Sequence, residues 1–174
     1  MRLLRGSRRP EMYRLLAEEI GRISTLDLCC GEAELRRWLS HDRYQGIDKN
    51  PFFAAELRRR GIPVIEEDVL AAPWPAADCL VMVDSLYHFL PEIDRLMDKA
   101  VAFPGNKVIF SESIENLTTH TSDWVSKISA WATRVDGQSY PRRFSEDTLG
   151  ALFRKHGFQR TIKTGANLIG ILER

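Results

Sequence analysis

The chain has 174 residues, enough for one domain with a single buried core and too few for two comfortable ones. Hydrophobic residues make up 44% and charged residues 28%, the balance of an ordinary soluble globular protein, which excludes a mainly disordered chain. A formal net charge of +1 removes any global attraction to nucleic acid or an anionic membrane. No run approaches the ~18 apolar residues of a membrane span. Cys29, Cys30 and Cys79 lack C-x-x-C spacing, so neither a disulfide framework nor a zinc site is expected. The first residues carry no apolar signal core, and a reducing cytoplasm is the expected compartment.

Arg2, Arg5, Arg8 and Arg9 make the start of the chain basic, which reads as a solvated arm, with a phosphate contact as the alternative. Pro10 suits a first helical turn, and Met12, Leu15, Leu16, Ile20 and Ile23 recur at helical spacing. A strand follows over Thr25 to Cys29, then a helix from about Glu32 to Leu39, and a second strand over Tyr44 to Ile47 closed by Asp48. Asn50-Pro51 is an N-cap and first-turn pair for a helix reaching Arg60, stopped by Gly61. The third strand is Pro63 to Ile65, followed by Glu66-Glu67-Asp68 and a proline-bearing loop. The continuous apolar run Asp78 to Val83 is what a strand buried on both faces needs, and it is expected at the sheet centre.

Pro91 opens a helix whose Ile93, Leu96, Met97 and Ala100 face inward, and the fifth strand is Lys107 to Ser111. Glu112 to Arg143 breaks the rhythm. It holds a helix capped by Ser122 with Trp124, Ile128 and Trp131 on one face, and reads as an inserted cap (112–143) on a single domain (1–174). Ser145 caps a further helix with acids in its first turn and bases in its last, complementing the helix dipole. Two strands close the chain, Phe158 to Lys163 and Ala166 to Leu172. The short Thr164-Gly165 connection makes them antiparallel, because a parallel pair needs a long crossover.

The stretch Thr25-Leu-Asp-Leu-Cys-Cys-Gly-Glu-Ala-Glu-Leu35, with Tyr44 to Asp48 after it, reads as a βαβ unit whose second strand ends in an acid. Such a unit binds an adenosine-containing cofactor when turn N–H groups approach it and the acid takes the ribose hydroxyls. A dinucleotide fingerprint asks for three glycines, and here those positions hold Cys29, Gly31 and Glu34. Cys29 suits such a turn if its φ is negative, since glycine is required only where φ is positive or a ligand touches the Cα.

Five βα units followed by a terminal hairpin resemble the class I S-adenosylmethionine-dependent methyltransferases, and the likeness runs from Thr25 to the C-terminus. It implies a Rossmann-like, doubly wound α/β three-layer sandwich, whose seven-stranded, mostly parallel sheet has an antiparallel C-terminal strand. Leu26 to Ala33 is similar to that family's first motif, with Asp27 as the acid near the methionine end, Cys29 in the turn and Gly31 as the closest backbone approach. The resemblance further implies Asp48 on the ribose with Lys49 beside it, and Asp68 with the backbone of Val69 on the adenine. The run Asp68 to Phe89, with Ser85-Leu-Tyr-His88 after strand four, resembles small-molecule methyltransferases in particular. Asp84 would lie at both the cofactor and the acceptor, with His88 as base and Tyr87 beside it, at the sheet edge where ligands bind in open α/β folds.

The expected partner is a small-molecule methyl acceptor, with the chain as monomer or homodimer. Nucleic acid is possible but not favoured, and the lack of an Asn-Pro-Pro-Tyr-like tetrapeptide after strand four argues against amino methylation of bases. The alternatives are an RNA methyltransferase, a non-catalytic module that keeps the fold and, more remotely, a nicotinamide-dependent oxidoreductase. The chain has no H-E-x-x-H or G-x-S-x-G motif, which agrees with a cofactor that carries its own electrophile.

Overall fold

The computed structural model describes residues 9–114 and 144–174. Met12, Leu16 and Ile20 form the buried stripe of α1 (Arg9–Ile20), and an apolar stripe at this spacing is what fixes a surface helix to a sheet. Asn50 caps α2 (Pro51–Arg59) by accepting from the Phe52 N–H at 3.0 Å, and Gly61, at φ +70°, takes the chain out of it. A 3-10 stretch, Leu86–Glu92, leads into α3 (Ile93–Val101), which buries Leu96, Met97 and Ala100. Pro91 therefore lies inside the 3-10 stretch instead of opening the α-helix. Ser145 and Thr148 form a reciprocal capping box at the start of α4 (Glu146–Lys155).

The strands are β1 (Thr25–Leu28), β2 (Tyr44–Ile47), β3 (Val64–Ile65), β4 (Cys79–Val83), β5 (Lys107–Ser113), β6 (Arg160–Thr164) and β7 (Asn167–Glu173). They make one sheet in the order β3-β2-β1-β4-β5-β7-β6, with β4 at its centre as its apolar run requires. The pairs from β3 to β5 are parallel, and β7 runs antiparallel to both β5 and β6. The topology reverses direction between β1 and β4, the crevice where open α/β sheets take their ligands.

Both faces of the sheet are covered, and side chains alternate between them with period two. Leu26, Leu28, Leu80, Met82, Val108 and Phe110 face α3 and α4. Cys79, Val81, Ile109, Ile169 and Ile171 face α1 and the residues after β1. Gly170 is small because α4 comes down on it: a Cβ there would lie 2.7 Å from the Phe153 ring.

Three further elements differ from the sequence expectation. β5 runs two residues further, so Glu112 and Ser113 pair with Leu168 and Asn167 and belong to the sheet. The last hairpin starts at Arg160, because Phe158 is spent on packing against Phe153 and Phe110. The helix expected over Glu32 to Leu39 is a single 3-10 turn, Leu35–Arg37. Its cause is Ala33, held at φ +54°, since a residue in the left-handed region cannot continue a right-handed helix. The helix capped by Ser122, its tryptophan face, most of the expected cap and the basic residues Arg2, Arg5 and Arg8 lie outside the described residues. Among the described residues no helix is long and apolar enough to cross a membrane.

Candidate functional site

The chain leaves β1 through a turn in which Cys29, Gly31 and Ala33 have φ values of +54°, +52° and +54°. The expectation of a negative φ at Cys29 is thus corrected. The backbone adopts the conformation that glycine takes without strain, and does so at two positions that carry side chains. Three hydrogen bonds hold it there. Cys30 N–H donates to Ile47 O (3.1 Å), Ala33 N–H to Cys30 O (2.8 Å) and Gly31 N–H to Asp48 Oδ2 (2.8 Å). A Cβ built on Gly31 would meet nothing within 4 Å, so the turn presents an open backbone face.

Asp48 is buried at the end of β2, and its second oxygen, Oδ1, accepts from Asn50 N–H at 2.9 Å. A carboxylate oxygen has two acceptor positions, so each oxygen of Asp48 keeps one to offer. Lys49 is exposed on the turn into α2. Asp27 is buried in β1, where Tyr44 OH donates to its Oδ2 at 2.7 Å. Burial raises its pKa to about 7; the Tyr44 bond works against this, and the charge of Asp48 adds to it. The Cys29 thiol is pushed well up by burial and then by the negative charges of Asp48, Asp27 and Asp68, with Lys49 opposing. The expected cofactor-side residues are thus electrostatic neighbours of one thiol.

After β3, Asp68 closes a tight turn. Its Oδ1 accepts from Leu70 N–H (2.8 Å), and its carbonyl accepts from Ala71 (3.1 Å) and Ala72 (2.8 Å). Val69 is buried, and its carbonyl accepts from Trp74 Nε1 (2.9 Å).

A second group gathers where β4, β5 and β7 end. Asp84 sits at φ +51°, and its Oδ1 accepts from Ser113 Oγ (2.8 Å) and Asn167 Nδ2 (2.7 Å). Glu112, 1% exposed, accepts from Ser113 N–H (3.0 Å) and, at the long distance of 3.4 Å, from Tyr87 N–H. Burial and then the neighbouring charge of Asp84 raise its pKa to about 8, against the backbone N–H groups that favour its ionised form. Tyr87 is buried with its ring 3.9 Å from that of the half-buried His88.

The expected residues therefore form two clusters on one sheet edge, Asp27 to Val69 around β1–β3 and Asp84 to His88 around β4. Sequence reasoning missed Glu112, Asn167 and Tyr44. The available signal was Ser-Glu-Ser continuing the apolar run of β5, a polar stretch that pairing to β7 buries. A separate surface groove of about 310 Å³ between α1 and β6 is lined by Glu11, Arg14, Leu15, Glu18, Lys163 and Thr164, and none of the candidate residues lines it.

No protein-family model matches the chain, and neither does any curated relative. Solved structures do. Mitomycin 7-O-methyltransferase MmcR is 17% identical with a TM-score of 0.65, over 95% of this chain and 53% of that one, so the chain spans about half its length. The methyltransferase domain of bacterial CtHen1 is 12% identical with a TM-score of 0.68, over 96% of this chain and 98% of that one. The magnesium protoporphyrin IX methyltransferase of Synechocystis, solved with S-adenosylhomocysteine, is 15% identical with a TM-score of 0.65, over 95% and 81%. The chain has the seven-stranded Rossmann-like fold of these S-adenosylmethionine-dependent methyltransferases.

Proposed function

We propose that the chain is a methyltransferase that binds S-adenosylmethionine over the β1–β2 edge and transfers its methyl group to a small-molecule acceptor over the β4–β5 edge. The observation that carries the reading is the turn after β1, which keeps left-handed geometry at 29, 31 and 33 although two of the three residues are not glycine. Strain of this kind costs on the order of 1–3 kcal/mol per residue and persists where the surroundings over-determine it, which is characteristic of ligand sites. The residues fit the cofactor. Gly31 leaves an open backbone face, Asp48 has acceptors that would take ribose hydroxyls, and Asp68 with the Val69 backbone would hold the adenine.

When bound, the cofactor supplies an electrophilic methyl group on a positively charged sulfur. The chain's part is chiefly to orient and position, which can account for much of the acceleration of a two-partner reaction. Because its pKa is raised, Cys29 stays a neutral thiol and offers no competing thiolate nucleophile in the turn. At the acceptor end, Asp84 is oriented by Ser113 and Asn167. His88 is the group whose ordinary pKa suits accepting the acceptor's proton, with the Tyr87 ring tilted against it. Titration calorimetry with S-adenosylmethionine and S-adenosylhomocysteine tests the reading: saturable heat and a raised melting temperature are expected. No heat and no thermal shift at millimolar ligand would refute it.

A further inference from the structure

Lys99, on α3, points its ammonium into the loop after β3. Its Nζ donates to the carbonyls of Ala72 (2.7 Å), Val69 (2.9 Å) and Leu70 (3.3 Å), and lies 4.5 Å from the centre of the Trp74 ring. An ammonium has three donors and no acceptor, so this arrangement uses all of them on one loop. Among the described residues, the other hydrogen bonds of the 68–74 segment are short-range ones made to Asp68 and by Trp74. Lys99 is therefore the described link from this loop to a helix distant in sequence. That helix is itself fixed, by Leu96, Met97 and Ala100 in the core and by Asp94 pairing with Lys155 and His156 at the end of α4. Trp74 in turn rests edge-on against Phe103, 6.2 Å between ring centres.

Carbonyl dipoles that converge on one point repel one another unless a cation sits there. A neutral residue at position 99 would let the three carbonyls turn away, and the peptide planes of 69–72 would turn with them. The first of those planes ends in the Leu70 N–H, which sets the direction of the Asp68 carboxylate, and it meets at the Val69 Cα the plane that carries the Val69 N–H; that carboxylate and that N–H are the two groups assigned to the adenine edge. We infer that Lys99 is a positioning residue for adenine recognition, acting through the 68–72 loop, an inference that rests on the cofactor reading above. It needs no contact with the cofactor. Its role is to fix the spacing between one acceptor, Asp68, and one donor, the Val69 N–H.

The test compares calorimetric affinities for S-adenosylhomocysteine and S-inosylhomocysteine, in which the 6-amino donor becomes a carbonyl acceptor and N1 becomes a donor. Wild-type protein is expected to prefer the adenosyl compound by about 100-fold, since a site built to hydrogen-bond one pattern rejects its inverse. Lys99→Met should cut that ratio about tenfold, chiefly by weakening the adenosyl compound. Lys99→Arg keeps the charge and helix packing, but its planar fork does not match three converging carbonyls, and the ratio should fall about threefold. Should Lys99→Met fail to fold, Lys99→Arg decides. A ratio unchanged in the folded variants, or a wild-type protein that binds both compounds alike, overturns the role of Lys99 and leaves cofactor binding standing. A wild-type protein that binds neither compound overturns the cofactor reading and the role of Lys99 together.

Discussion

Asp27→Asn isolates one proton held inside the fold. The native carboxyl titrates at about 7 against an ordinary value of 3.8, so between these values the folded chain keeps a proton that the unfolded chain releases. Stability is then greatest below pH 3.8, falls as pH rises through about 7 and is flat above. At 1.36 kcal/mol per pH unit, the full loss is about 4 kcal/mol. Asparagine keeps an acceptor for the Tyr44 hydroxyl and cannot ionise, so the variant escapes this loss. Glu112, raised from 4.5 to about 8, weakens the fold in the same direction, but equally in both proteins, and it cancels in the difference. Urea unfolding at half-unit steps from pH 4 to 8.5 should show Asp27→Asn near wild type at the acid end and more stable by a few kcal/mol at the alkaline end. Parallel curves would show that the Asp27 carboxyl ionises in the folded protein as it does in the unfolded chain, and would refute the reasoning.

Asp48→Ala removes the acceptor of both Gly31 N–H and Asn50 N–H. It should destabilise the ligand-free protein by about 2–3 kcal/mol and also weaken S-adenosylhomocysteine binding; urea unfolding and calorimetry on the same sample check both, and a loss confined to binding would contradict the clamp. Gly31→Ala meets no neighbour and should cost only the left-handed strain, about 1–2 kcal/mol. Gly46→Ala would place a Cβ 2.4 Å from Cys30 Sγ and should cost more than Gly31→Ala in thermal unfolding; the reverse order would mean that overlap at Cys30 is easily relieved. The ring nitrogens of His41 are buried with no hydrogen-bond partner among the described residues, and burial, then Arg43, lowers its pKa. Its contribution is present above pH 6.5 and lost as pH falls, so His41→Leu should flatten the acid limb of a pH–stability curve; an unchanged limb argues against it.

The architecture was legible because its signals are local or periodic. β4 declares itself as an apolar run, Asn50-Pro51 and Ser145 cap as they read, and the Gly165 turn leaves β6 and β7 no pairing but the antiparallel one. What misled were places where tertiary geometry overrides residue type. Ala33 and its neighbours have helical composition, yet the fold holds Ala33 in the left-handed region and the helix does not form. Glu112 looked like the start of an excursion because a charged residue at a strand end normally faces water. Only its ladder to β7 and the N–H groups around it make burial tolerable. Asp48 and Asp68 could be singled out by their positions after β2 and β3. Their hydrogen bonds to the backbone could not be, since a loop's donors are fixed by torsion angles that no side-chain pattern encodes.

The turn after β1 shows why sequence and shape part company there. Two non-glycine residues in the left-handed region cost about 1–2 kcal/mol each, and the chain would be expected to relax them if nothing opposed it. Ala33 is opposed by its surroundings, for its methyl is completely buried and its N–H is engaged by Cys30 O. Cys29 is opposed from both sides. β1 fixes the direction of entry through its pairing with β2 and β4, and the next two residues are tied to the end of β2 by Cys30 N–H on Ile47 O and Gly31 N–H on Asp48. Glycine lowers the cost of such a turn without specifying it. The specification lies in the strand pairing and in Asp48, which is why one glycine is enough to keep the shape. The same carboxylate that holds the turn is the one proposed for the ribose, and under that proposal forming the binding face and holding the ligand are one task for one residue.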